Sequence, residues 1–269
     1  MKFNLKQIFT VAVAASALIL AGCGDKEQDS NKIKLGVMAG AEAQVAEIAA
    51  KVAKEKYGLD VELVTFTDYV TPNAALDDGS VDINAFQHKP YLDQQIADRG
   101  YKLAIAGTTF VYPIAGYSKK IKSIDELKEG DRIAVPNDPT NLGRSLLLLQ
   151  KQGIIELREG AGLLATVRDI TANPKKIEIV ELEAAQLTRS LDDMTLAIIN
   201  NTFASSIDLT PQRDGIFVES KESPYVNLIV AREENVNSEN VKNFVKAYQT
   251  EEVYKAADEI FKGGLVKGW

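Results

Sequence analysis

The residues able to do chemistry fall in a few short stretches. In Asn84-Ala85-Phe86-Gln87-His88-Lys89-Pro90-Tyr91-Leu92 an apolar strand pattern runs into a helical one, so Phe86, His88 and Tyr91 gather at a strand's carboxyl end. Tyr69 follows the preceding strand pattern, in Phe66-Thr67-Asp68-Tyr69. Such rings beside an imidazole suit an apolar or polarizable guest: a thioether sulfur against an aromatic edge gains about 0.3–1.5 kcal/mol per contact. Packing between layers accounts equally well for any one of these rings. A second stretch is Val135-Pro136-Asn137-Asp138-Pro139-Thr140-Asn141-Leu142-Gly143-Arg144-Ser145-Leu146. Turn residues lead straight into a Leu-rich helix there, which puts Asn141 and Arg144 near the helix start. Free N–H groups and the positive helix end favour an anion at that place, and Arg144 adds a planar fork that can grip a carboxylate with two parallel hydrogen bonds. A cation at this end opposes the helix dipole, so helix stability does not account for it.

Asn200, ending Leu196-Ala197-Ile198-Ile199, and Asn227, in Ser223-Pro224-Tyr225-Val226-Asn227-Leu228, complete the set. Their amide oxygens can accept from an ammonium without adding charge, although turn or capping roles are the plainer alternative. Neither a Gly-rich phosphate loop nor G-x-x-x-x-G-K-[ST] occurs, so the anion site is read for a carboxylate rather than a nucleotide. Catalytic signals are weak. G-x-S-x-G is absent, and a triad would have to use His88 without a marked nucleophile. With one His and one Cys in the chain, a metal cluster would need carboxylates for its other ligands, and no disulfide can form within the chain.

The 269 residues are 45% hydrophobic and 26% charged, enough for one large or two smaller globular domains. With 31 basic against 38 acidic side chains, net -7, the chain is a poor fit to nucleic acid or to anionic lipid by charge alone. Its first 22 residues read as an export segment. A basic start precedes an uncharged run of 13 residues, Ile8 to Leu20, shorter than the roughly 20 residues of a membrane span but suited to a signal-peptide core. Leu20-Ala21-Gly22-Cys23 then has the form of a lipobox, which would place acyl chains on Cys23 and hold the protein on a membrane. Residues 23–31 read as a flexible tether.

Beyond the tether, strand and helix patterns alternate: strands over 33–38, 61–66 and 81–87, and helices over 43–57, 71–78 and 89–99. That order predicts a parallel sheet with helices on its faces. The β-favouring run 101–118 exceeds a typical strand of about five or six residues. It is read as two strands meeting at Pro113, or one crossing between sheets. A second series has strands over 133–136, 177–182, 196–200 and 216–219 and a helix over 141–152. A return strand over 226–231 and closing helices over 240–248 and 252–261 follow. The expected fold is therefore α/β with two lobes joined by two crossover strands. One lobe spans 32–110 with 229–269, the other 111–228, and the cleft between them is the expected site.

The stretches around Phe86, Arg144 and Tyr225, with Asp60-Val61-Glu62-Leu63-Val64-Thr65-Phe66 and Phe110-Val111-Tyr112-Pro113-Ile114-Ala115-Gly116-Tyr117-Ser118, together resemble the NlpA family of bacterial substrate-binding lipoproteins across essentially the whole chain. The resemblance implies a periplasmic-binding-protein fold with L-methionine in the cleft, D-methionine or methionyl derivatives being further candidates. It implies that Arg144, helped by Asn141, takes the carboxylate, that Asn200 and Asn227 hold the polar amino-acid end, and that Tyr69, Phe86, His88 and Tyr91 wall the thioether. It implies no cofactor. The partners implied are an ABC importer's permease (MetI) and ATPase (MetN), with a periplasmic location anchored through Cys23. The segment Ser190 to Leu196, just before the strand that carries Asn200, is slightly shorter than the family pattern. A lipid-anchored enzyme acting on amino-acid derivatives, or a structural surface lipoprotein, remain as alternatives. Cys23→Ser should abolish incorporation of labelled palmitate in growing cells; undiminished labelling would place the acyl chains elsewhere.

Overall fold

The computed structural model describes residues 31–220 and 222–269 of the chain. The export segment expected over 1–22, Cys23 and all but the last residue of the 23–31 tether lie outside the described residues. The first series is β1 (Lys32–Met38), α1 (Ala41–Tyr57), β2 (Asp60–Phe66), α2 (Thr71–Asp77), β3 (Ile83–His88), α3 (Lys89–Arg99) and β4 (Leu103–Val111). Helix α1 buries Val45, Ala49 and Val52 and stops at Gly58. That glycine sits at φ +64°, where its N–H returns to the Ala53 and Lys54 carbonyls, a left-handed cap that a side chain would strain.

The long β run divides at Tyr112-Pro113-Ile114, and β5 (Ala115–Tyr117) opens the second series. Next come β6 (Arg132–Pro136), α4 (Pro139–Lys151), β7 (Glu156–Leu157), β8 (Ile170–Ala172), β9 (Glu178–Leu182), α5 (Leu187–Ser190), β10 (Leu196–Ile199), α6 (Asn201–Ser205), α7 (Pro211–Asp214) and β11 (Phe217–Val218). The chain then returns through β12 (Val226–Arg232) and closes with α8 (Glu239–Tyr248), α9 (Glu251–Ile260) and β13 (Val266–Lys267).

Two main sheets result, ordered β13-β4-β12-β3-β1-β2 and β11-β5-β10-β6-β9. The first is not wholly parallel, as the β-α order had predicted. β1 runs parallel to β2 and β3, but β12 inserts antiparallel between β3 and β4. The cause lies in the crossover. Asn227 enters beside His88, the last residue of β3, so the returning strand starts where its neighbours end and must run the other way. In the second sheet β5 is likewise antiparallel, with Ala115 beside Ile199 at the end of β10. Both crossings thus lie at the carboxyl ends of the parallel strands, where ligands of open α/β sheets bind.

Each sheet has its own apolar core. Val45, Ala49 and Val52 of α1 cluster with Val241 and Phe244 of α8 and Val253 of α9 on the first sheet. Leu142, Leu146 and Leu149 of α4 cluster with Ile133, Val135, Leu196 and Ile198 on the second. A third cluster joins Met38, Phe86 and Tyr91 of the first series to Ala115, Ala134, Ile199 and Phe203 of the second. Helix α4 comes close to the turn 162–164 because Gly143 has no side chain: a Cβ there would lie 2.2 Å from the Leu163 carbonyl oxygen. Gly143→Ala should therefore lower the urea-unfolding midpoint, at a cost of about 1–3 kcal/mol; a wild-type midpoint would show that the turn yields freely.

Candidate functional site

Between the two sheets lies a pocket with about 350 Å³ of unfilled space, its mouth included. All eight residues singled out from the sequence line it: Tyr69, Phe86, His88, Tyr91, Asn141, Arg144, Asn200 and Asn227. They come from four strand ends and two helix starts. Gln87, Tyr112, Asn201 and Thr202 line it as well.

One side is aromatic. Phe86 has ring centroids of Tyr69 and Tyr91 each 6.0 Å away, and Tyr69 packs 5.0 Å from Phe203. The Tyr91 hydroxyl donates to the Tyr69 carbonyl at 2.7 Å, which fixes two walls against each other.

The polar side is built around Asn141. Asp138 caps α4 by accepting from the Asn141 backbone N–H at 2.9 Å, and its carboxylate also takes the Asn141 Nδ2 at 3.0 Å. This turns the amide oxygen toward the other lining residues. Asn141 Oδ1 accepts from Asn200 Nδ2 at 3.0 Å and lies 3.2 Å from His88 Nε2. His88 in turn caps α3, its Nδ1 accepting from the Tyr91 N–H at 3.2 Å. An accepting Nδ1 puts the proton on Nε2, so His88 donates to Asn141 across the cleft. Burial, reinforced by the Arg144 charge, pushes the imidazole pKa down to about 3, so His88 is neutral.

Asn200 occupies the N-cap position of α6 but makes no cap with its side chain. Its Oδ1 is buried without a hydrogen-bond partner among the described residues, an acceptor suited to a donor brought in from outside. Asn227 donates through Nδ2 to the Phe86 carbonyl at 3.0 Å, which leaves its amide oxygen for other donors.

Arg144 is paired within the protein. Its fork is occupied: Nε and Nη2 donate to the two oxygens of Glu219 at 2.8 and 2.5 Å, and Nη2 also reaches the Tyr112 carbonyl at 3.0 Å. Tyr225 stacks on the guanidinium, its ring centroid 4.3 Å from Cζ. The physical reason is burial, since the side chain is only 3% exposed and a charge so far from water must be paired. Nη1 alone remains without a protein partner among the described residues. Asn141 is paired as well, its Nδ2 held by Asp138.

Glu42 near the start of α1 was not foreseen. It is buried and accepts from Thr202 Oγ1 of α6, joining the two series a second time. Neither Glu42 nor Glu219 carries a local sequence signal, since their partners lie 160 and 75 residues away.

Comparison with known proteins adds a family to this geometry. The model of the NlpA lipoprotein family matches residues 33–269. A probable D-methionine-binding lipoprotein MetQ of Vibrio cholerae is 79% identical over 269 residues, covering all of both chains. The D-methionine-binding lipoprotein MetQ of Escherichia coli is 67% identical over 271 aligned positions, again spanning both. The crystal structure of the methionine binding protein MetQ superposes with a TM-score of 0.89 at 70% identity, covering 90% of this chain and 99% of that one. A nutrient binding protein from Burkholderia cenocepacia bound to methionine has a TM-score of 0.87 at 51% identity, over 88% of this chain and 100% of the other.

The buried carboxyl makes stability depend on pH. Burial raises the Glu42 pKa from 4.5 to about 8, with the Thr202 hydrogen bond working the other way. The folded state thus keeps a proton that the unfolded chain releases above pH 4.5. Its stabilising contribution is complete below 4.5 and lost as pH rises toward 8, on the order of a few kcal/mol. Glu42→Gln should flatten the decline of the urea midpoint between pH 5 and 8; parallel pH profiles for the two proteins would contradict a protonated Glu42.

Proposed function

This chain belongs to the NlpA lipoprotein family, and we propose that it captures methionine in the interlobe cleft and delivers it to the permease of an ABC importer. The observation that carries this is a pocket that has, at its polar end, a guanidinium nitrogen and an amide oxygen without partners among the described residues, and aromatic rings along its other side. In this reading Arg144 Nη1 meets the ligand carboxylate and Asn200 Oδ1 and Asn227 accept from the ammonium. Tyr69, Phe86, His88 and Tyr91 enclose the thioether. Asn141 acts as the strut that orients His88 and Asn200 rather than as a carboxylate donor. A neutral His88 suits this wall, because an imidazolium would bring a second cation beside Arg144 and repel the ammonium.

Capture couples to closure. The bonds His88–Asn141 and Glu42–Thr202 cross from one series of elements to the other, so opening would break both and admit water. Closing would remove the ligand from solvent and strengthen its ionic contacts. Each buried CH₂ of the side chain adds about 0.8 kcal/mol, which is how shorter amino acids are rejected. The two lobes are taken as 32–110 with 229–269, and 111–228. Acylation at Cys23 would hold the protein on the periplasmic side of a membrane, beside a permease (MetI) driven by an ATPase (MetN).

Titration calorimetry of purified protein, unfolded and refolded to free it of carried ligand, tests the reading. L-methionine should bind one to one, with D-methionine as the comparison, and alanine should not bind measurably. Arg144→Ala should weaken L-methionine binding by about 3–5 kcal/mol, because the ligand carboxylate and Glu219 would both be buried without their cation. Unchanged affinity in a folded Arg144→Ala protein would remove the carboxylate site from this cleft.

A further inference from the structure

Glu219 lies behind Arg144, just after β11 and at the edge of the first crossover. Its backbone N–H donates to the Ile114 carbonyl at 2.9 Å, while its carboxylate holds Nε and Nη2 of Arg144. The two side chains are 12% and 3% exposed, so solvent screens this pair little. Two things follow. The guanidinium is clamped, by Glu219 in its plane and Tyr225 on its face, so that one nitrogen is presented rather than the whole fork. And the pair itself carries no net charge: the remaining lining groups are phenyl, phenol, amide and hydroxyl groups and a neutral imidazole, and the other carboxylate in contact with them, Asp138 behind Asn141, is negative.

Building on the ligand class proposed above, we infer that Glu219 sets the charge selectivity of the cleft. By neutralising Arg144 it suits the pocket to net-neutral amino acids and turns away monoanions with the same side chain, such as the des-amino or 2-oxo acids. A zwitterion entering the pocket leaves the sum of charges unchanged. A bare carboxylate leaves one buried negative charge beside the Glu219 carboxylate. Glu219 is in this sense a positioning and specificity residue that need not touch the ligand. An arginine alone would do the opposite and favour the monoanion.

The test compares L-methionine with its des-amino analogue, γ-methylthiobutyrate, on the refolded wild type and on Glu219→Gln and Glu219→Asp. The glutamine keeps the shape and can still accept from Arg144, but removes the charge. Its preference for methionine over the analogue should contract by about tenfold or more. Glu219→Asp, which keeps the charge at shorter reach, should retain the preference even where both affinities fall. A merely structural role would weaken both ligands alike and leave the preference unchanged in both variants, which would overturn the inference. Should Glu219→Gln fail to refold, the wild type decides. Binding of γ-methylthiobutyrate should take up more protons than binding of methionine, seen as a different dependence of the calorimetric enthalpy on buffer ionisation. Equal buffer dependence for the two ligands would overturn the inference as well. A wild type that binds neither compound would overturn the ligand class itself, an outcome separate from methionine binding with an unchanged preference.

Discussion

A guanidinium removed from water has to be paired, and the arrangement around the cleft follows from that constraint. Arg144 stands in the second turn of α4, where the helix dipole offers it nothing. Its charge is met instead by Glu219, its plane by the Tyr225 ring and one further N–H by the Tyr112 carbonyl. Tyr112 belongs to the outgoing crossover, Glu219 and Tyr225 to the segment leading into the returning one. One buried cation therefore ties both connections between the sheets to the start of the helix that opens onto the pocket.

The neutral hydrogen bonds extend the same logic. A carbonyl oxygen has two lone pairs, and Asn141 Oδ1 is approached by one donor from each side of the cleft, His88 and Asn200. Asp138 makes this possible by holding the amide nitrogen. His88 can serve as the donor only while its Nδ1 accepts from the Tyr91 N–H, so a helix cap sets the tautomer that bridges the cleft. The functional groups are thus oriented by the same contacts that begin α3 and α4. That economy is why site residues and helix starts coincide in this fold.

Much of this was legible in the sequence, for identifiable reasons. The β1 to α3 series is recoverable because helix faces and strand runs have different periods and because Gly58 and Gly100 mark the stops. The break at Tyr112-Pro113-Ile114 was visible as a run too long for one strand. What escaped were elements with too few residues to show a period: the β7–β8 pair, β13 and the helices α5, α6 and α7. The antiparallel entry of β12 also escaped, since strand direction depends on where the chain comes from rather than on what the strand contains.

The site divides the same way. Residue types and local turns placed His88, Asn141, Arg144 and Asn200 at element ends, because caps and strand termini are short-range features read from neighbouring residues. The partners of those side chains are not short-range. That the fork of Arg144 faces Glu219, that Asn141 turns its oxygen rather than its nitrogen to His88, and that Glu42 keeps its proton beside Thr202 depend on burial and on contacts between distant segments. The sequence by itself determined which chemical groups stand at the cleft and on which elements. Only the tertiary structure decided which of their hydrogen-bonding positions remain for a ligand, because that is settled by desolvation and by the neighbours that folding brings together.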